Sequence, residues 1–275
     1  RRFLAAASLL PAGLLLPACR AESGTRGSAE RISGTHAPAD VTGLPPRVVG
    51  LRSMGGAFRF DPEGILVEPD TELHWLNMGD FHTTTAFHPD HDDLLPAGVP
   101  LRIPEGAEPW HSGMLGLTAG TRFTHRFTVE GVHDSFCQPH YSFGMVGRVV
   151  VGGPRGGPAV TTPLPGSPES VRENMPTVEE ITAPAGVTFE WAARINGVLY
   201  EAAEGREPAA FAEAVADGIS RHRALRDHAG EAARRLDDEV AAFRETAVSG
   251  EGYEELLRRA DAAKDVLRDI HGRRG

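Results

Sequence analysis

The sequence predicts a mainly β chain: an all-β sandwich or barrel, followed by a small α-helical domain. Three observations carry this. Seven short β-type runs separated by turn residues lie between Arg47 and Val151. A stretch dense in Pro and Gly, 154–186, interrupts all periodicity. From Phe189 to Ile270 the apolar residues recur at i, i+3 and i+4 instead of at i, i+2.

The β runs are RVVGL, AFRF, GILVEP, ELHWLNM, TRFTHRFTV, GVHDSFC and GRVVV. Asp61-Pro62-Glu63-Gly64 and Gly79-Asp80 supply turns between them. Leu73, Trp75, Leu76, Phe123, Phe127 and Val129 are the expected core. Residues 88–120, rich in Pro and Gly, read as an excursion between strands. The β region is bounded as 45–153 and the linker as 154–186. A short helix is expected to open at Ser167-Pro168-Glu169 and run to Met175, since proline suits a first helical turn.

In the helical domain, 187–275, one amphipathic helix is expected around Phe189, Ala192, Ile195 and Leu199, and a second through Phe211, Val215 and Ile219. Ala232, Leu236, Val240 and Phe243 continue the second helix, or form another if Gly230 breaks the run. The last helix spans Leu256 to Ile270, after a turn at Gly250 and Gly252. This domain docks a partner, mediates self-association, or braces the β region. Treated as separable, its removal leaves any site in 45–153 intact.

Residues 1–19 read as an export signal. Arg1 and Arg2 precede an apolar run too short to span a bilayer, and Leu16-Pro17-Ala18-Cys19 resembles a lipobox. Residues 20–44 are small and polar, a flexible tether. The expected location is therefore periplasmic or extracytoplasmic, with membrane attachment only through a lipid at Cys19. Net charge is −10, which disfavours nucleic acid as a partner. Lys264 is the only lysine. The two cysteines, Cys19 and Cys137, sit in such different contexts that they do not read as a disulfide framework.

The chemistry concentrates in FCQPHYSFGMVGRVVV, residues 136–151. Cys137, His140 and Met145 follow the spacing C-x2-H-x4-M and run straight into an apolar strand. A thiolate, an imidazole and a thioether on one loop form a soft donor set suited to copper. A second imidazole completes a trigonal set with a weak axial thioether. His82, in NMGDFHTTTAFH, is the best candidate. Pro139 stiffens the loop and Gly144 permits its return into the strand. The Thr83 N–H is placed to bond the sulfur, and Phe136, Phe143 and Met114 are expected to surround the metal.

Residues 136–151, with Asn77 through His82, resemble the cupredoxin family, and the C-x2-H-x4-M spacing is like that of plastocyanins, pseudoazurins and halocyanins. The resemblance covers about residues 45–153. It implies an eight-stranded Greek-key β-sandwich binding one copper ion, Cu(I)/Cu(II). It makes His82, Cys137 and His140 the equatorial ligands and Met145 the axial one. It further implies single-electron transfer through the exposed edge of His140 to membrane or soluble redox proteins docking there.

Two other functions are weighed. A copper-oxidase-like enzyme subunit needs further copper on H-x-H pairs or a second loop cysteine, and the sequence has neither. A storage or delivery protein favours exposed, exchangeable ligands, unlike a single enclosed loop. His88, His91 and His111, flanking Asp90, Asp92 and Asp93, are either a second metal patch or a solvated acidic loop. His222 and His228 lack i, i+4 spacing, so no metal is expected there.

Overall fold

The computed structural model describes residues 43–54, 56–95, 98–116, 120–153, 164, 166–222, 225 and 230–272. The signal at 1–19, Cys19 and His228 lie outside them, as does the tether but for its last two residues.

All seven predicted runs are strands: β1 (Val48–Met54), β2 (Ala57–Asp61), β3 (Gly64–Val67), β4 (Thr71–Asn77), β6 (Arg122–Phe127), β7 (Gly131–Phe136) and β8 (Val146–Val151). A two-residue strand, β5 (Thr85–Ala86), was not foreseen. The order is β2-β1-β4-β6 in one sheet and β3-β8-β7-β5 in the other. β1 pairs with β4, and β3 with β8, in parallel; the remaining pairs are antiparallel. The result is the expected cupredoxin sandwich. Alternation along β4 explains its core: Leu73 and Trp75 face the opposite sheet, while Leu76 joins a different apolar cluster. Of the six expected core residues, Phe123 and Val129 are only half-buried.

The excursion at 88–120 comes back along the 82–86 segment. His82 exchanges backbone bonds with Leu115, Ser112 donates to the Thr84 carbonyl, and Ala86 donates to that of Trp110. His82 is thereby fixed by two neighbours instead of hanging from one strand end.

The stretch read as a linker carries structure in its second half. Pro168 precedes α1 (Glu169–Asn174) as expected, and Thr177 and Glu180 form a reciprocal capping box for α2 (Val178–Thr182). Val178 and Ile181 pack on Val132 and Val150 of the β7/β8 sheet. The second of these helices, α2, was not foreseen, because five residues are too few to show a period.

The tail forms α3 (Val187–Ala203), α4 (Ala209–Arg221), α5 (Gly230–Ser249) and α6 (Tyr253–His271). Helix α4 ends at Arg221 with an extended His222, so Ala232 to Phe243 belong to a separate helix, α5, that starts at Gly230. Among the described residues no helix is long and apolar enough to cross a membrane.

Helices and sandwich share one interface. The outer face of the first sheet gives Val48, Leu76 and Met78 to the helical core, alongside Trp191, Ile195, Val215 and Phe243. Gly197 lets α3 lie directly on the chain entering β1: a Cβ there would stand 2.2 Å from the Pro46 carbonyl oxygen. Polar groups are paired across the same interface. The fully buried Lys264 donates to Asp61 (2.6 Å) and Asn196 (2.8 Å) and lies 3.3 Å from Asp261. Arg52 also reaches Asp261, and Arg268 reaches Asp61 at 3.3 Å. The described residues of 187–272 therefore pack on the β region, as the bracing reading of this domain has it.

Candidate metal centre

Residues 137–145 fold on themselves before meeting anything else. The Cys137 N–H donates to the Met145 carbonyl (3.0 Å), and the Met145 N–H donates to that of His140 (3.2 Å). A 3-10 turn, Tyr141–Phe143, ends at Gly144 with φ +86°, in the left-handed region. The loop is thus closed by its own backbone, which holds its side chains in place independently of any ligand.

His82 is delivered by a turn built on the buried Asn77. Its amide donates to the carbonyls of Asp80 (2.9 Å) and Gly116, and its Oδ1 accepts from the Gly79 N–H (3.2 Å). Two donated bonds and one accepted bond on one small side chain explain an asparagine at this position.

The loop and the turn bring together the donors the sequence singled out. His82 Nδ1 lies 3.2 Å from His140 Nδ1, and the Cys137 Sγ lies 3.7 and 3.6 Å from these nitrogens. Among the described residues this is the one group of three or more potential ligands with donor atoms in mutual reach. A point equidistant from three atoms so spaced lies roughly 2.0 Å from each, a metal–imidazole bond length. Both imidazoles aim Nδ1 at that point. Met145 is fully buried in the same apolar cluster as Cys137. Softness, number and spacing all fit copper.

The surroundings tune the donors. Burial pushes the Cys137 thiol up to about 11, although bonds from Thr83 work the other way. The Thr83 N–H donates to the sulfur at 3.3 Å, as expected. Metal binding near neutral pH thus displaces the thiol proton. Burial, with the neighbouring His140, pushes His82 down to about 4, against the opposing pull of Asp80. Burial also lowers His140. Both imidazoles are neutral at pH 7, with lone pairs to give. His82 Nε2 lies 3.2 Å from the Ser53 hydroxyl, which itself donates to Asp80 (3.1 Å). That pairing orients the ring from outside, and it was not foreseen because Ser53 lies 29 positions away.

The expected apolar surround is different in the structure. Phe136 is buried in a separate cluster with Phe87 and Val146. Phe143, on the loop, and Met114, on the segment returning along 82–86, are exposed, at 58% and 54%. The ring lying on His140 is Phe58 of β2, stacked at 3.8 Å and 5°. Phe81, also exposed, lies 5.4 Å from His140. Phe81 and Phe143 thus line an exposed apolar surface beside His140.

Helix α1 leans on the loop. Asn174 donates to the Gly144 carbonyl (3.0 Å) and the Ser170 hydroxyl to that of Ser142 (3.0 Å). A Cβ on Gly144 would meet Asn174 Nδ2 at 2.5 Å and the Ser170 carbonyl oxygen at 2.6 Å. Gly144→Ala is therefore expected to cost about 1–3 kcal/mol in left-handed strain, with a further loss as α1 is displaced. Chemical denaturation checks the stability. A denaturation midpoint equal to wild type would show that α1 does not press on the loop.

Residues 48–152 match the family described as copper binding proteins, plastocyanin/azurin family. A chloroplastic plastocyanin of Tetradesmus obliquus is 30% identical over 103 residues, 38% of this chain and 65% of that protein. The chain thus spans just under two thirds of this relative's length. A plastocyanin of Scenedesmus fuscus is 26% identical over 103 residues, 38% of this chain and 96% of its own length. Among solved structures, a pseudoazurin from Methylobacterium extorquens AM1 aligns with 39% of this chain and 76% of its own, at 27% identity and a TM-score of 0.30. None of these alignments reaches half of this chain, in keeping with a helical region beyond the matched segment. With His82, Cys137 and His140 converging as described, residues 48–152 are a cupredoxin domain of the plastocyanin/azurin family.

Proposed function

We propose that this chain is an exported type 1 copper protein that carries single electrons between redox partners. The observation carrying this reading is the convergence of one thiolate and two neutral imidazoles, 3.2 to 3.7 Å apart, on a self-closed loop. When bound, copper supplies the Cu(I)/Cu(II) couple. His82, Cys137, His140 and Met145 are the residues that would hold it. The loop backbone, Asn77 and Ser53 fix the donors, so little rearrangement accompanies each electron. Thr83 withdraws charge from the sulfur through its N–H. Partners dock on the apolar surface of Phe81 and Phe143 beside His140. The Arg1-Arg2 leader supports export, and Cys19 in its lipobox supports a membrane tether.

The test is spectroscopic. The purified chain loaded with Cu(II) is expected to show intense visible absorption from sulfur-to-copper charge transfer, and Cys137→Ser is expected to abolish it. A wild-type chain without a strong band, releasing copper readily to a chelator, would instead mark a copper-delivery protein.

A further inference from the structure

His91 and His111 come from separate segments. His91 sits in the 3-10 turn Pro89–Leu94, and His111 lies on the returning segment opposite Thr85. Their rings approach to 5.7 Å, inclined at 49°. Hydrogen bonding fixes the tautomer of each. His91 Nδ1 lies 3.0 Å from the Ala86 carbonyl, which can only accept, so Nδ1 carries the proton. His111 Nδ1 lies 2.8 Å from the Thr85 hydroxyl. That hydroxyl gives its one proton to Thr83 Oγ1 (3.2 Å), so its oxygen accepts from His111. Both neutral rings therefore keep the lone pair on Nε2. An imidazole donating one N–H to a protein oxygen, with the other nitrogen free for a metal, is the usual arrangement of a ligating histidine. His88 is different: its Nδ1 accepts the Asp90 N–H (3.2 Å), which places its proton on Nε2.

We propose that His91 and His111 form a second metal site, taking one divalent transition-metal ion such as zinc, whose occupancy is relayed to the Cys137 sulfur. Two imidazole nitrogens are the fixed donors, and water completes the coordination. The exposed Asp93 carboxylate, close enough to act electrostatically on His111, offers negative charge beside the ion. Burial, with the like charge of His91 and against the pull of Asp93, disfavours a proton on His111.

The relay is two directed bonds that end on the Thr83 hydroxyl, and Thr83 touches the sulfur through its separate backbone N–H. His111 Nδ1–H donates to Thr85, and the Thr85 hydroxyl donates to Thr83. The Thr83 N–H donates to Cys137 Sγ, and the Thr83 oxygen also accepts from the Gln138 N–H (2.8 Å). A cation on His111 Nε2 makes Nδ1–H a stronger donor, polarises the two bonds into Thr83, and acts by its field on the sulfur that Thr83 touches. Charge is drawn from the sulfur, which favours the reduced metal and raises its reduction potential. This half rests on the proposed copper function; the zinc site does not.

The test uses the full copper-loaded chain, titrated with Zn(II) by calorimetry while the potential is followed. Zinc is redox-inert and leaves the copper absorption readable. The expected result is one zinc per chain and a raised potential. His91→Ala and His111→Ala each weaken zinc by roughly tenfold or more, whereas His88→Ala does not. Thr85→Val keeps zinc and loses the shift in potential. Absence of zinc uptake, or uptake indifferent to both histidine variants, overturns the site. Uptake without a change in potential overturns the relay. A chain that takes no copper defeats the proposed function alone, because the zinc uptake that Cys137→Ser loses on adding His91→Ala or His111→Ala still reads the second site.

Discussion

Lys264→Met is expected to remove about 3–5 kcal/mol of folding stability, although the residue lies far from Cys137 in the sequence and is no metal ligand. The substitution leaves the Asp61 carboxylate buried without its nearest cation, 2.6 Å away, and leaves the Asn196 side-chain oxygen without its donor. Burial alone would raise the Asp61 carboxyl. The Lys264 ammonium, with Arg268 and Arg52, outweighs burial and holds it well below the usual carboxylate range. A carboxyl depressed in the folded state contributes stability above its unfolded value of about 3.9, and this is lost as pH falls further. The gap between wild type and variant is accordingly widest near neutral pH and narrows in acid. Denaturant titrations at pH 7 and pH 3.5 check this. Equal losses at both values would show that the charge of Asp61 is not the cause. Replacing both partners, Lys264→Met with Asp61→Asn, is expected to recover part of the loss, because no buried charge is then left alone.

A chain ending at Gly186 is expected not to reach the stable sandwich. Truncation uncovers Val48, Leu76 and Met78, and burying such side chains stabilises by about 1.5–3 kcal/mol each. It also removes Lys264, Arg268 and Asn196 from Asp61, and Asp261 from Arg52. Together these losses approach the about 5–15 kcal/mol that holds a domain folded. Thermal unfolding followed by circular dichroism is the measurement. A truncated chain with a cooperative transition near the wild-type midpoint and the same copper absorption would show that the helices are an independent appendage.

How far the sequence discloses this molecule depends on the distance over which each feature is decided. Strands and helices are written in local periodicity, and every predicted β run and tail helix is present. Cys137, His140 and Met145 share one loop, so spacing alone exposes them. Their second imidazole, His82, is legible through the Asn77 turn five residues before it. The features that escape are pairings across the fold. Phe58 reads as one more strand residue until β2 places it on His140. Asp61 and Lys264 each read as solvated charges, being 203 positions apart. His91 and His111 are adjacent only because the excursion doubles back along 82–86. Residues 178–182 escape for another reason: a helix of little more than one turn leaves no period to detect.

The lone lysine has a practical consequence. Every other fixed positive side-chain charge of the chain is a guanidinium, so its one ε-amine is sealed where helices meet sandwich. A reagent selective for lysine amines finds no side chain to modify while that contact holds. Each opening of the contact offers it a single nitrogen. Lys264 thus serves as a built-in reporter, marking at one atom how often the helical half lifts from the copper-binding half.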